Sequence, residues 1–128
     1  MATEHPKTRA MNIVGGIGLT VMGIAQFFHK MAELPVEMLA AIVAFWLALV
    51  LVAVGTARAL SANTSPALRT TMFWANWALI GLWCFGVAGR LLLHQPLLVT
   101  LLIALFFVVP EWINIRALRQ VSKPANAV

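Results

Sequence analysis

Four long apolar runs follow one another in this sequence, and they constrain its fold more than any other feature. They cover about residues 11–28, 36–57, 70–93 and 96–115. Each run has about the 20 residues that an α-helix needs to cross the hydrocarbon core of a bilayer. Lipid cannot satisfy the open edge of a strand, and the runs lack the strict alternation of barrel strands. We therefore expect an all-α membrane protein, an up-down-up-down bundle of four transmembrane helices with short connections that occupies residues 1–128 as one domain.

The composition agrees with this fold and excludes several classes of protein. Apolar residues make up 62% of the 128 residues and charged residues only 10%, which is far from the average of soluble domains. The net charge of +5 comes from basic residues that flank the apolar runs, so it indicates membrane topology rather than nucleic-acid binding. The sequence contains no metal-binding box, nucleophile elbow or phosphate-binding glycine loop. We predict no catalytic residues, and the sequence favours a protein that is not an enzyme.

Lysine and arginine residues are divided unequally between the two sides of the membrane. Of the nine, only Lys30 and Arg90 would lie on the side opposite the termini. Basic connections are retained on the cytoplasmic side of the plasma membrane, so we predict an inner-membrane protein with both termini in the cytoplasm. The remaining seven are Lys7, Arg9, Arg58, Arg69, Arg116, Arg119 and Lys123.

Small and weakly polar residues recur at helical spacing in the first and third runs. Such stripes allow another helix to approach closely. We expect them to pack inside the bundle, with a contact between copies of the chain as the alternative. The helix-packing candidates are Asn12, Gly16, Thr20 and Gly23 in the first run and Gly81, Gly86 and Gly89 in the third.

Polar residues near or within the bilayer are the candidates for a functional site, because lipid makes them costly unless they pair or meet water. Gln26 and His29 are three residues apart, and Arg90 and His94 are four apart. Each pair therefore shares one face of its helix, and the two faces would lie at one level on the side opposite the termini. Asn76 lies on the same heptad-spaced seam as Arg90, which would give the third helix a partly polar face directed towards this cluster.

Three interpretations of this cluster are open. His29 and His94 would ligate a haem iron or another metal, since neutral imidazole is a common ligand. Alternatively, the cluster would bind a quinone or a lipid head group beside Lys30 and Arg90. In the interpretation that we favour, both basic side chains reach the interface and pair with Glu33 and its neighbour Glu37, and the histidines are solvated. We therefore predict no metal and no cofactor, with haem or quinone as the alternatives.

Glu111 is an acidic residue within the fourth run, away from the connections and tails. It follows Pro110, which has no backbone N–H and predicts a kink. One role for Glu111 is an ion pair with Arg58, Arg69 or Arg116. The other is a carboxylate coupled to the movement of a proton or cation. The abundance of basic residues nearby favours the ion pair.

These features predict a small accessory or scaffold subunit that packs with other membrane proteins or with its own copies. Few polar residues are available to line a pore, and the small-residue stripes suit helix docking. One alternative is a homo-oligomeric transporter of a small solute or ion, with Glu111 and the Arg90 and His94 pair as gating groups. Another is a membrane anchor that binds haem or quinone through His29 and His94. The expected partners are the lipid bilayer and other membrane subunits, with no nucleic acid.

Overall fold

The computed structural model of the chain describes residues 5–122, and these residues form four helices and no strand. All four helices are long and apolar enough to cross a membrane. The prediction of an all-α, four-helix membrane protein is therefore confirmed. Lys123, which we assigned to the basic side, lies outside the described residues. The helices are α1 (Pro6–Lys30), α2 (Val36–Ala59), α3 (Pro66–Leu92) and α4 (Leu97–Val121).

α1 and α3 begin four or five residues before their apolar runs, because their starts are set by proline and by a capping residue rather than by hydrophobicity. α1 begins at Pro6, where the missing N–H costs nothing because the first helical turn has no partner for it. α3 begins after Ser65, whose hydroxyl oxygen accepts a hydrogen bond from the N–H of Leu68 at 3.3 Å. The apolar runs thus mark the part of each helix suited to lipid, and the polar flanks continue the helices beyond it.

The short connections make successive helices antiparallel, so the bundle has two distinct ends. At the terminal end, α1 and α3 begin and α2 and α4 finish; the opposite end carries the connections 31–35 and 93–96. Arg69 closes the connection at the terminal end by donating hydrogen bonds to the carbonyls of Ala59 at 3.2 Å and Ser61 at 3.1 Å. The first bond satisfies a carbonyl group that the last turn of α2 leaves without an intrahelical partner, and the second ties the connection to α3.

The helices pack as two pairs that meet mainly through α2 and α3, with smaller contacts of α4 with α1 and α2. α1 packs along α2, α3 packs along α4, and α2 joins the pairs by packing against α3. The core lies at the terminal end, where the last turns of α2 and α4 meet the first turns of α3. Its buried residues are Ala59, Leu60, Ala117, Leu118 and Val121, with Leu68, Met72 and Phe73 packed around them.

The heptad-spaced seam of α3 lies against α4. Residues 76, 83 and 90 each contact a different level of the neighbouring helix, as expected for two helices that cross at a shallow angle. This face of α3 is therefore used in packing against α4 from residue 76 to residue 90. The contacts are Asn114 Nδ2 to Asn76 Oδ1 at 2.9 Å, the stacked rings of Trp83 and Phe107 with centroids 4.1 Å apart, and Arg90 Nε to Thr100 Oγ1 at 3.3 Å.

Candidate functional site

A buried hydrogen-bond network joins all four helices near the terminal end. Each helix contributes one buried side chain: Asn12, Thr56, Asn76 and Asn114. The amides of Asn12 and Asn114 exchange two hydrogen bonds, of 2.6 and 3.0 Å. Asn114 also donates to Asn76 at 2.9 Å, and Asn76 donates to the hydroxyl of Thr56 at 2.9 Å. Asn114 is thus the hub of the network.

The network has the character of a structural element, because its amide groups use one another and the backbone as partners. Asn12 also donates to the carbonyl of Thr8 at 2.8 Å, and Asn76 to the carbonyl of Met72 at 2.6 Å. An amide without partners is costly in lipid, so this pairing stabilises the bundle. Asn76, which we named as a ligand or coupling candidate, is fully buried in this network.

On the side of the Asn12 and Asn114 pair that faces away from the terminal end, α1 and α4 line a cavity of about 550 Å³, which we name the α1–α4 cleft. Gly15 and Gly18 lie on its α1 wall, and a Cβ added to either would meet no heavy atom within 4 Å. On the α4 wall Phe106 is 66% exposed. The cleft therefore opens sideways, towards the lipid that surrounds the helices.

Glu111 lies on the α4 wall of this cleft, one helical turn from Asn114. Its Oε2 atom is buried and has no hydrogen-bond partner. Within residues 5–122 the one salt bridge joins Lys30 to Glu33 at 2.8 Å, so the ion pair that we favoured for Glu111 is wrong. The nearby arginines are engaged elsewhere: Arg69 bonds the end of α2, and Arg116 lines a groove between α3 and α4.

Pro110 removes one intrahelical hydrogen bond from α4 beside the cleft. Because it has no N–H, it cannot bond the carbonyl of Phe106 one turn earlier. Both residues line the cleft beside Glu111. The α4 wall thus combines the carboxyl group of Glu111 with a turn of helix that lacks one hydrogen bond, and the carboxyl group suits a ligand that brings a hydrogen-bond donor into an apolar site.

The candidates at the opposite end bond to different helices rather than to one another. Gln26 accepts a hydrogen bond from the indole N–H of Trp46 at 2.6 Å, which links α1 to α2. Arg90 bonds Thr100, which links α3 to α4. No Cα atom of α1 lies within 8 Å of one in α3. The polar side chains at this end therefore act within each helix pair.

His94 ends α3 through its backbone conformation, a role that does not depend on its imidazole. Its φ of 54° is left-handed, and its N–H bonds the carbonyl of Leu91 while the N–H of Gln95 bonds that of Arg90. This is the Schellman ending of a helix, with His94 where glycine is usual. Among residues 5–122 no group of three or more histidine, cysteine or acidic side chains is placed to hold a metal ion. Haem ligation by His29 and His94 stays a prediction, which requires a Soret band that His29→Ala or His94→Ala abolishes.

The helix-packing candidates fall into two groups. A Cβ at Gly16 would lie 3.4 Å from Val54 Cγ2, and one at Gly23 would lie 3.0 Å from Trp46 Cβ, so this stripe faces α2. A Cβ added to any of the α3 glycines would meet nothing within 4 Å, so the packing inside the bundle that we expected is absent there, and the alternative, contact with another copy of the chain, stays a prediction. The remaining members of the two stripes are Thr20, whose hydroxyl donates to the Gly16 carbonyl at 2.8 Å, and Gly81, Gly86 and Gly89.

The glycines of the cleft were not among the predicted site residues. Met11, Gly15, Gly18 and Met22 are spaced by four, three and four residues, which places them on a second face of α1. That spacing is visible in the sequence, but nothing in it indicates that α4 lies opposite.

No protein-family model matches this chain, and neither the curated proteins nor the solved structures provide a match.

Proposed function

We propose that this small integral membrane protein is an accessory subunit that binds a transmembrane helix of another membrane protein in the α1–α4 cleft. The observation that carries the proposal is the buried Oε2 atom of Glu111, which has no hydrogen-bond partner in a cleft that opens towards lipid. An ionisable side chain inside a membrane is expensive unless it has a partner. Lipid tails have no donor to offer it, whereas a polar side chain on a partner helix does.

The shape of the cleft supports a helix as the occupant. Gly15 and Gly18 present no side chain, so the backbone of a second helix can approach α1 closely. A volume of about 550 Å³ accommodates several side chains of the incoming helix. The partner that fits best is an apolar helix that carries a hydroxyl, amide or basic side chain at the level of Glu111.

We also propose that the protein lies in the plasma membrane with both termini in the cytoplasm. The distribution of basic residues supports this orientation, since the terminal end carries Lys7, Arg9, Arg58 and further arginines, and the opposite end only Lys30 and Arg90. Cysteine labelling from outside the cell tests it. A cysteine near Glu33 should react and one at Ser61 should not, and the reverse pattern would contradict the orientation.

The test of the accessory role is purification of the full chain from native membranes in a mild detergent, followed by mass spectrometry of the intact complex. We expect a stoichiometric complex with an unrelated membrane protein. Gly18→Leu should fill the cleft and remove the partner's mass. Gly81→Leu is the matched control, because Gly81 is also an exposed helical glycine with no atom within 4 Å of an added Cβ.

A photo-crosslinking amino acid in place of Phe106, an exposed ring of the cleft, should join the partner, and one in place of the exposed Phe85 of α3 should not. Crosslinks of equal yield at the two positions would contradict binding in the cleft. Binding in the cleft would also be contradicted if the complex formed equally well with Gly18→Leu and with Gly81→Leu. Recovery of the chain alone, as a monomer or a homo-oligomer, would overturn the accessory role.

Glu111 also supports a second candidate function, a homo-oligomeric transporter in which its carboxyl group is coupled to a proton or cation. Proteoliposomes of the pure protein would then move a small solute or ion along a proton gradient. Glu111→Gln should abolish that transport while the helical content is retained. Proteoliposomes that move no solute or ion would exclude this candidate.

A further inference from the structure

A second groove lies between α3 and α4 at the terminal end, on a different part of the surface from the α1–α4 cleft. Its volume is about 440 Å³. Aromatic side chains form one part of its wall, and polar or charged side chains of α4 form the other. The residues that matter here are Trp77, Trp112, Arg116, Arg119 and Gln120.

The charged part of the groove is cationic and has no acidic partner. Arg116 and Arg119 are three residues apart, so they share one face of α4, and both are exposed. Neither forms a salt bridge within the described part of the chain. Glu111, the acidic residue of the same helix, lines the α1–α4 cleft instead. Two guanidinium groups therefore face the groove with their charge uncompensated.

The aromatic part lies deeper in the membrane than the arginines. The rings of Trp77 and Trp112 meet edge to face with centroids 5.9 Å apart, and they are 39% and 48% exposed. At a rise of 1.5 Å per residue, Arg116 lies about 6 Å beyond Trp112 along the helix, and Arg119 about 10 Å beyond it. Exposed tryptophan is typical of the level where acyl chains meet head groups. The groove is therefore apolar towards the membrane centre and cationic towards the water.

We propose that this groove is a binding site for one anionic phospholipid. Arg116 and Arg119 bind its phosphate, because a guanidinium group offers paired N–H donors that match phosphate oxygens. The acyl chains lie along Trp77 and Trp112, and Gln120 is placed to bond the polar part of the head group. Basic pockets between transmembrane helices have the charge complementarity that anionic head groups require. The aromatic wall favours a lipid over a free anion, which would gain nothing from apolar contact.

The experiment is a lipid titration of the full chain in detergent micelles, followed by native mass spectrometry. The probes are phosphatidylglycerol and phosphatidylcholine with identical acyl chains. We expect one phosphatidylglycerol to bind more tightly than phosphatidylcholine. Each arginine near a membrane surface contributes about a fivefold factor to the binding of anionic lipid. The double variant Arg116→Gln/Arg119→Gln should therefore weaken the binding of phosphatidylglycerol by about 25-fold.

The matched control is the double variant Lys7→Gln/Arg58→Gln. It removes the same charge from exposed side chains at the same end, outside the groove. We expect it to change the affinity for phosphatidylglycerol by less than about threefold, since only diffuse attraction is lost. Equal weakening in the two double variants would overturn the site.

Two other outcomes would also overturn the proposal. Equal affinity for phosphatidylglycerol and phosphatidylcholine would show that the head-group charge is not recognised. Displacement of phosphatidylglycerol by inorganic phosphate at equal concentration would indicate a site for a free anion rather than for a lipid. Circular dichroism of every variant checks that the helices are intact before the affinities are compared.

Discussion

The two ends of the bundle are held together in different ways. At the terminal end Leu60 and Leu118 are almost completely buried, and the hydrogen-bond network reaches all four helices. At the opposite end Leu92, Leu93 and Leu98 are 80%, 73% and 71% exposed. The polar contacts there join α1 only to α2 and α3 only to α4. The terminal end is a four-helix structure, whereas the opposite end consists of two adjacent helix pairs.

This difference shows what holds helices together in lipid. Apolar side chains lose little by facing acyl chains, so hydrophobicity alone does not drive helix association in a membrane. Close packing and interhelical hydrogen bonds supply the stability, and both are concentrated at the terminal end. The opposite end lacks a hydrogen bond between the pairs, and the α1–α4 cleft lies between the two regions, beside the Asn12 and Asn114 pair.

The strongest test of this comparison is removal of the network hub. Asn114→Leu deprives Asn12 and Asn76 of a donor each, and we expect the free energy of unfolding to fall by about 2–3 kcal/mol. Thr100→Val is the control, because it removes one interhelical hydrogen bond at the opposite end with little change in shape. The free energies of unfolding of both variants are measured in mixed micelles, with tryptophan fluorescence as the signal. Equal losses would mean that the two ends are equally important to stability.

A smaller effect is expected from the core. Leu118→Ala leaves a cavity where the side chain is fully buried, and we expect a loss of about 2 kcal/mol, since the cavity cost remains even where transfer to lipid is nearly neutral. Leu98→Ala is the matched substitution at the opposite end and should cost less than about 0.5 kcal/mol. The same unfolding assay decides the matter. A cost at Leu98 as large as that at Leu118 would place a second core at the opposite end.

At the opposite end, one substitution should increase stability. His94→Gly relieves the left-handed backbone at the end of α3, and we expect a gain of about 0.5–1 kcal/mol. A loss of stability, seen as a lower midpoint of thermal unfolding, would indicate that the imidazole makes a contact that stabilises the fold. His29→Gly is not a suitable control because it lies within a helix, so His94→Ala, which keeps the strain, serves instead.

The smallest effect concerns the surface pair of the 31–35 connection. The hydrogen bond and the charge of Lys30 lower the pKa of Glu33. Glu33 therefore binds a proton more readily in the unfolded chain than in the folded one. The stabilisation of the fold by the ionised Glu33 is present above the pKa of Glu33 in the unfolded chain, and it is lost as the pH falls through the pKa of Glu33 in the folded protein. Between about pH 7 and pH 3, the wild type should lose slightly more stability than Glu33→Gln. Glu37→Gln should retain the wild-type dependence, and an identical loss in all three proteins would contradict the role of the pair.

Much of the fold follows from the sequence, because helices in lipid are determined locally. The four apolar runs predicted the four helices, and the pairing of Lys30 with Glu33 is confirmed. The expected ion pair of Arg90 is wrong, because within residues 5–122 Arg90 bonds the hydroxyl of Thr100 and forms no salt bridge. The heptad spacing of Asn76, Trp83 and Arg90 correctly indicates one face of α3. It does not indicate that α4 covers that face, since the partner depends on how the helices are arranged in space.

The candidate site was less predictable for the same reason. The number of nearby arginines favoured an ion pair for Glu111, but Arg116 follows it by five residues, about 140° further around the helix. That rotation places the two side chains on different faces, and the structure has them lining different cavities. His94 was selected for its imidazole, whereas its backbone conformation, which depends on the end of α3, is what the fold uses.

The position of Asn114 in the sequence also determines when the hydrogen-bond network can form during synthesis. Asn114 lies on α4, which leaves the ribosome after the other three helices, and its partner Asn12 precedes it by 102 residues. At synthesis rates of 5–20 residues per second, Asn12 spends about 5–20 s in the membrane before its partner arrives. During that interval α1, α2 and α3 lack the hydrogen bonds of Asn114, and the network closes only when α4 is inserted.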